Sequence, residues 1–323
     1  MKEIKIQEVK GFCFGHAQNE DALTGCSVII CKNGAVGGVE VRGGAPGTRE
    51  TDALHSENLI EEVHGVFLSG GSAFGLDVGT GVMRFLEEHN IGFDVQVANV
   101  PIVSGAILFD LYPGDPTIRP NSEMGYDACI QAFSEEHFEQ GSIGVGVGAT
   151  VGKCLGNEHV MRGGIGSYAV EIGELQIGAV VAVNAFGDII DSATNEILAG
   201  VYDKSNGVFF NSEEQMLKQL EDNSTNRFSN NTTIGSIVTN AKLTKAQANK
   251  IATIAHDGYA KTIQPSHTMV DGDTLFTLTT NEVETELNVL SMLATRVVQH
   301  AVMNAVKHAI GCAGIPSYND VKK

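Results

Sequence analysis

Hydrophobic and polar positions change their spacing several times along the chain, and each spacing predicts an element. Residues 26–42, CSVIICKNGAVGGVEVR, hold two β-rich runs on either side of Asn33-Gly34, the residue pair of a tight hairpin turn. The run Gly43-Gly44-Ala45-Pro46-Gly47 breaks that pattern. Val63–Leu68 is a short, unbroken apolar stretch, as expected of a buried strand. After Ser69-Gly70-Gly71-Ser72 the period lengthens, and a helix is predicted over 73–88 with Phe74, Val78, Val82 and Phe85 on its apolar face. Glycine-rich runs at 141–152 and 163–166 alternate with β-branched residues and predict strands packed close to neighbouring backbone. Residues 176–190 read as another buried strand with a turn.

The character then shifts. Residues 203–231 are rich in Asn, Ser, Glu and Lys, a linker signature with room for a short helix over 213–220. Order returns at Thr232 with the strand-like TTIGSIVTNA. A helix is predicted over 244–260 with Thr244 as its N-cap, a strand over 276–280, and a long helix over 284–310 ended by Gly311. Strands alternating with helices place the chain in the α/β or α+β class, and no internal repeat is present.

Composition narrows the function. The 323 residues suffice for one large domain or two ordinary ones. A net charge of −18 argues against partners with a phosphate backbone or an anionic membrane surface. No apolar stretch predicts a membrane span, and MKEIKIQEVKGF lacks the apolar core of a secretory signal, so a cytoplasmic location is expected. Six widely spaced cysteines read as reduced thiols. Ten histidines include neither HxxxH nor HExxH, and no metal site or cofactor is expected. Glycine, at 38 residues, exceeds its usual share of about 7%, without a three-residue period.

Three glycine motifs come close to known chemistry and fail. Gly148-Ala-Thr-Val-Gly152-Lys153 has Val147 where a phosphate loop needs glycine and Cys154 where it needs Ser or Thr. Gly144-x-Gly146-x-Gly148 lacks the third glycine of a dinucleotide fingerprint. Ser72 sits on a strand–turn–helix like a hydrolase nucleophile, but Phe74 occupies the position that needs glycine, and Ser72 reads instead as a helix cap.

The junction at Asn231-Thr232 is different. There a polar segment meets a buried strand that begins with a hydroxyl residue. Cleavage before Thr232 would set its hydroxyl beside its own α-amine, which titrates near ~7.7–8.0 and can act as general base. The plainer reading is a linker followed by a strand. Asp271 and Asp273 lie two apart beside a predicted strand, so that in an extended segment they share a face. Such a pair suits an ammonium group, whether that of Thr232, of a substrate, or both. The competing reading of Asp-Gly-Asp is a hydrated turn.

These residues together resemble the DmpA-type aminopeptidase family: L-aminopeptidase/D-esterases, β-peptidyl aminopeptidases and the nylon-oligomer hydrolase NylC. The resemblance runs along nearly the whole chain, through Gly15-His16-Ala17, residues 37–54, 68–88 and 100–111, GATVGK (148–153), AVVAVNAFGD (179–188), NTTIGSIVTNA (231–241) and HTMVDGDTLF (267–276). It implies a four-layer αββα sandwich shared with ornithine acetyltransferases, forming one catalytic domain over 1–323. It also implies self-cleavage between Asn231 and Thr232 into pieces 1–231 and 232–323, with 203–231 as the linker before the cut. Thr232 is then the nucleophile and Asn184 the oxyanion-hole amide. Lys153 is the lysine beside the nucleophile, and Asp271 and Asp273 are the acidic pair. Thr at 232 and Asp at 271 place the chain nearer the NylC branch. Tyr112, with Tyr126 as the competing match, corresponds to a tyrosine of the oxyanion region. The implied substrate is a small peptide or amide with a free amino group, and the implied assembly a tetramer or larger. Two other functions stand beside this one. An acyltransferase of the related fold is disfavoured because the Ala-Thr-Met-Leu nucleophile motif is absent, and an unprocessed binding protein is the third possibility.

Overall fold

The computed structural model describes residues 1–134, 137–222 and 231–322. Ten strands build the main sheet: β1 (Lys2–Ile4), β2 (Cys13–Asn19), β3 (Thr24–Val41), β4 (Thr48–Arg49), β5 (Glu62–Ser69), β6 (Val103–Ile107), β7 (Gly164–Ile172), β8 (Leu175–Asn184), β9 (Thr232–Ala241) and β10 (Thr274–Val283). Their order is β1-β7-β8-β9-β10-β3-β5-β6-β4, with β2 paired to β3. The principal helices are α1 (Val78–Glu88), α2 (Ser122–Ser134), α3 (Ser212–Glu221), α4 (Lys245–Ala255) and α5 (Leu287–Lys307).

The expected hairpin at Asn33-Gly34 is absent, and this corrects the sequence reading. Residues 24–41 form one strand whose register against β5 shifts between Ile30 and Ala35, with Gly34 at φ +77°. A turn-forming pair thus serves as an irregularity in a continuous strand. Its first half pairs with β2 and β5, and its second half, Val36–Val41, pairs with β10. The strand therefore passes from one sheet layer to the other.

The core is divided accordingly. On β3, Cys26, Val28 and Ile30 face α1 and α2, while Ile29 and Cys31 face the other way. They meet Ile165, Val180, Ala182, Ile234, Val238, Phe276 and Leu278 of β7–β10 in a sheet-on-sheet core. The far side of β7–β10 is covered by α4 and α5. Helix, sheet, sheet, helix is the order of layers that the resemblance implied. α5 is long and apolar enough to cross a membrane, yet it packs on β7 and β8.

Other expectations shift locally. The region after Ser72 begins as a 3-10 helix over Ser72–Asp77, and Phe74 is 56% exposed rather than on the apolar face. Ser72 is not the cap: Gly71, in the left-handed region, occupies that position without a side-chain cap bond. Thr244 does cap α4, in a reciprocal pair with Gln247. That helix ends at Ala255, and a separate turn covers Asp257–Ala260. α5 starts at Leu287, where the Glu286 carboxylate accepts two backbone N–H groups. Of the predicted linker 203–231, residues 223–230 lie outside the described residues, and the helix predicted within it is α3.

Candidate active site

Thr232 opens β9 and directly faces Asn184, the last residue of β8, across an antiparallel pair. Directly opposed side chains in such a pair emerge on one face. Ile234 and Val238, further along that face, belong to the core between the sheets. Thr232 and Asn184 thus point into the end of the inter-sheet layer, where both are buried. The Thr232 hydroxyl donates to the carbonyl oxygen of Asn231. The same oxygen accepts the N–H of Gly272 at 2.9 Å.

Lys153 reaches this point from the glycine run that resembled a phosphate loop. Gly152 and Lys153 donate their N–H groups to Gly187 and Phe186, just beyond β8. Gly152 has φ +73°, and a Cβ there would lie 2.1 Å from the carbonyl carbon of Gly200, so this approach requires glycine. The Lys153 Nζ donates to the main-chain and side-chain oxygens of Asn184 at 3.0 and 2.9 Å. Thr150 N–H adds a bond to Asn184 Oδ1, and Asn184 Nδ2 donates to Phe109 O at 2.9 Å. Lys153, Thr150 and Phe109 together hold the amide in one orientation. Burial pushes the Lys153 ammonium down to about 7, with Asp271 and Asp110 opposing that shift.

The two predicted carboxylates have separate partners. Asp271 accepts from Thr268 N–H (3.0 Å) and from the Thr268 hydroxyl with Oδ2, and from Phe186 N–H (3.4 Å) with Oδ1. Asp273 Oδ1 accepts Thr233 N–H at 2.7 Å, and its Oδ2 takes the N–H and Nδ1 of His267 at 3.1 and 2.8 Å. Both are buried, not the hydrated turn that was the alternative. Burial, and next the charge of Asp273, raise Asp271 above the usual carboxylate range.

Thr232, Asn184, Lys153 and Asp271 are thus brought together, and Asp273 joins them through the backbone of Thr233. Tyr112 is 39% exposed, and its hydroxyl reaches Asn157 O at 3.5 Å. It follows by three residues the Phe109 carbonyl that holds Asn184. Tyr126 lies on α2, in the outer layer, bonded to Glu88 at 2.6 Å.

Sequence reasoning missed three contributors. Asp110 is buried, accepts from Thr24 Oγ1 (2.7 Å) and Gly71 N–H (2.6 Å), and is pushed up to about 6 by burial. His267, at φ +56°, secures Asp273 and stacks edge-on against His256. Gly272 contributes through its backbone. Asp110, His267 and Gly272 all lie inside stretches that carried the family resemblance, but a short polar residue or glycine in a turn has no periodic signal to mark it.

The model of peptidase family S58 matches residues 5–317. An uncharacterised aminopeptidase of Mycobacterium leprae is 38% identical, covering 97% of this chain and 92% of its own length. A 6-aminohexanoate-oligomer endohydrolase of Paenarthrobacter ureafaciens is 32% identical, covering 88% and 77%. Among solved structures, a β-aminopeptidase of Burkholderia sp. superposes with a TM-score of 0.71 at 16% identity, covering 98% and 91%. The L-aminopeptidase D-Ala-esterase/amidase of Ochrobactrum anthropi, described as a variant of the Ntn hydrolase fold, superposes at 0.69 and 17% identity, covering 96% and 88%. The match over nearly the full length, on a fold that buries a hydroxyl, an amide, a lysine and two carboxylates at one point, places the chain in peptidase family S58, whose members are hydrolases of peptide or amide bonds.

Proposed function

We propose that the chain cleaves itself between Asn231 and Thr232, and that the freed Thr232 hydrolyses amide bonds adjoining a free amino group. The observation that carries this reading is the seating of the Thr232 hydroxyl against the carbonyl of the peptide bond before it, with that carbonyl already hydrogen-bonded by Gly272. The relative named as an aminopeptidase supports a bond beside a free amino group, and the one named as a 6-aminohexanoate-oligomer endohydrolase supports hydrolysis of an oligomer.

In the first reaction Thr232 Oγ adds to the Asn231 carbonyl carbon, the C–N bond breaks, and the Thr232 nitrogen takes the hydroxyl proton. The resulting ester is hydrolysed by water, leaving the Asn231 carboxyl group and a free N-terminal threonine. In turnover the neutral α-amine takes the Oγ proton and later delivers it to the leaving amine, and water releases the acyl group. A cation at Lys153 lowers the proton affinity of that amine and keeps more of it basic near pH 7. The second N–H of the Asn184 amide is the side-chain donor for the oxyanion, a type of contact worth about 2.7–4 kcal/mol in such sites.

Denaturing electrophoresis with intact-mass measurement tests the reading. The wild-type chain is expected to resolve into 1–231 and 232–323, and Thr232→Ala to remain a single 34.2 kDa species without amidase activity. A wild-type chain that stays whole on long incubation, or a Thr232→Ala chain that is cut at the same bond, overturns it.

A further inference from the structure

The residue before the nucleophile is part of the sheet. Asn231 forms a parallel bridge with Asp271: its N–H donates to Val270 O at 3.2 Å, and its carbonyl oxygen accepts Gly272 N–H at 2.9 Å. β9 is thereby extended one residue past Thr232, along the segment that leads into β10, and Asn231 is 1% exposed.

That segment is held from behind by the glycine run 43–47. Ala45 N–H donates to Asp271 O at 2.8 Å, and Gly44 N–H to Thr268 O at 3.1 Å. A Cβ on Gly43 would lie 2.2 Å from Asp271 O, and one on Gly44 2.6 Å from Met269 Cα, so the two backbones touch. Asp271 N–H is itself spent on Thr268 O at 3.2 Å. Val270 O and Gly272 N–H are the groups turned toward Asn231. Gly272 also lies against the nucleophile: a Cβ there would sit 2.9 Å from Thr232 Oγ and 2.8 Å from Ala45 O. Glycine at 272 lets this N–H approach the carbonyl beside Thr232.

In self-cleavage Asn231 is the acyl group. The ester it forms on Thr232 has the same bonds as the acyl-enzyme of turnover, with asparagine as the acyl residue. Once water has released Asn231, Val270 O and Gly272 N–H lose their protein partners and are left as an unpaired strand edge for another extended residue. We infer that the Val270–Gly272 edge, which holds the cleavage-site residue in the uncut chain, becomes the subsite for the acyl residue of the substrate. The substrate's amine donates to Val270 O, and its scissile carbonyl takes the Gly272 N–H, which is then an oxyanion donor in both reactions.

The spacing selects a substrate class. An amine and a carbonyl belonging to one α-aminoacyl residue span the two groups as Asn231 does. A β-aminoacyl or 6-aminohexanoyl group carries its nitrogen further from the carbonyl, keeping the Gly272 bond and losing the Val270 bond. The side-chain environment of Asn231 likewise becomes that of the substrate's first residue.

This inference rests on self-cleavage at Thr232, and its test separates the two. Precursors carrying Asn231→Ala, Leu, Lys and Glu are made by cell-free synthesis, and their maturation rates are compared with wild type. Only substitutions whose Thr232→Ala counterparts unfold cooperatively are scored. In parallel, mature wild-type enzyme is assayed on the p-nitroanilides of Asn, Ala, Leu, Lys and Glu, and on β-alanyl and 6-aminohexanoyl p-nitroanilides. The expected result is one shared rank order for maturation and kcat/KM, with the best α-aminoacyl anilide at least tenfold ahead of the β-alanyl and 6-aminohexanoyl compounds. Unrelated rank orders, or a β- or 6-amino compound equal to the best α-aminoacyl one, overturn the shared subsite while leaving self-cleavage intact. A wild-type chain that never matures overturns the parent reading instead.

Discussion

At the scale of single residues, the site brings a costly charge indoors. The Lys153 ammonium is buried and hydrogen-bonded to two oxygens of one asparagine, with Asp110 and Asp271 as its counter-charges. Its ordinary value is 10.5 and its value in the fold about 7. Between those limits the unfolded chain holds a proton that the folded chain lacks, so stability rises with pH across this window. The penalty is complete below about 7 and gone above 10.5. Lys153→Met, made in a Thr232→Ala background so that both chains stay uncut, removes that penalty. The variant's stability relative to its parent is expected to be greatest at pH 6–7 and to decline steadily toward pH 10. A tenfold change in proton affinity is worth about 1.4 kcal/mol, which sets the whole decline at a few kcal/mol. Urea denaturation at pH 6, 8 and 10 measures it, and a difference independent of pH would rule out the buried ammonium.

At the scale of elements, glycines set how closely strands and helices approach. Gly166 on β7 faces α5: a Cβ there would lie 2.1 Å from Ala301 O and 2.4 Å from Ala305 N. These are backbone atoms of a 21-residue helix, which cannot give way locally. Gly166→Ala is expected to destabilise the protein by about 1–3 kcal/mol or more, the usual range for overpacking. Gly173→Ala is the matching control, because its Cβ would meet nothing within 4 Å and only its φ of +61° is strained. Thermal or urea unfolding of the two variants orders them, and equal losses would refute the close-packing account. The same physics explains why the 141–152 run resembled a nucleotide loop. Glycine permits close backbone approach, and at Gly152 the approaching partner is the chain beyond β8, which seats Lys153 under Asn184.

At the scale of the whole molecule, the proposed cut falls in the middle of the sheet. β9 lies between β8 from the first piece and β10 from the second, and β10 pairs in turn with β3. Residues 232–323 also carry α4 and α5, whose apolar faces complete the core on one side. Breaking one peptide bond removes none of these contacts. Pieces 1–231 and 232–323 are therefore expected to elute together from a native sizing column and to separate only in denaturant. Release of either piece under native conditions would contradict the sheet order.

Much of this was legible in the chain itself because it depends on local pattern. The strands at 62–69, 175–184 and 232–241 follow from runs of apolar residues, and the start of α4 from Thr244. The family, and with it the layer order and the identities of Thr232, Asn184, Lys153, Asp271 and Asp273 as candidates, followed from long motifs. Other features depended on contacts between residues far apart in sequence. Asn33-Gly34 has the chemistry of a hairpin turn, but β10 and β5 offer partners to both halves of 24–41, and pairing with them keeps the strand continuous. Asp110 acquires its part from burial beside a lysine 43 positions away in the chain, and Gly272 from the carbonyl that β9 brings to it. The sequence by itself determined which side chains are present and the strands and helices whose pattern is local, since those are matters of residue type and short spacing. Only the tertiary structure decided which groups meet, because hydrogen-bond partners and buried charges are set by distance in space.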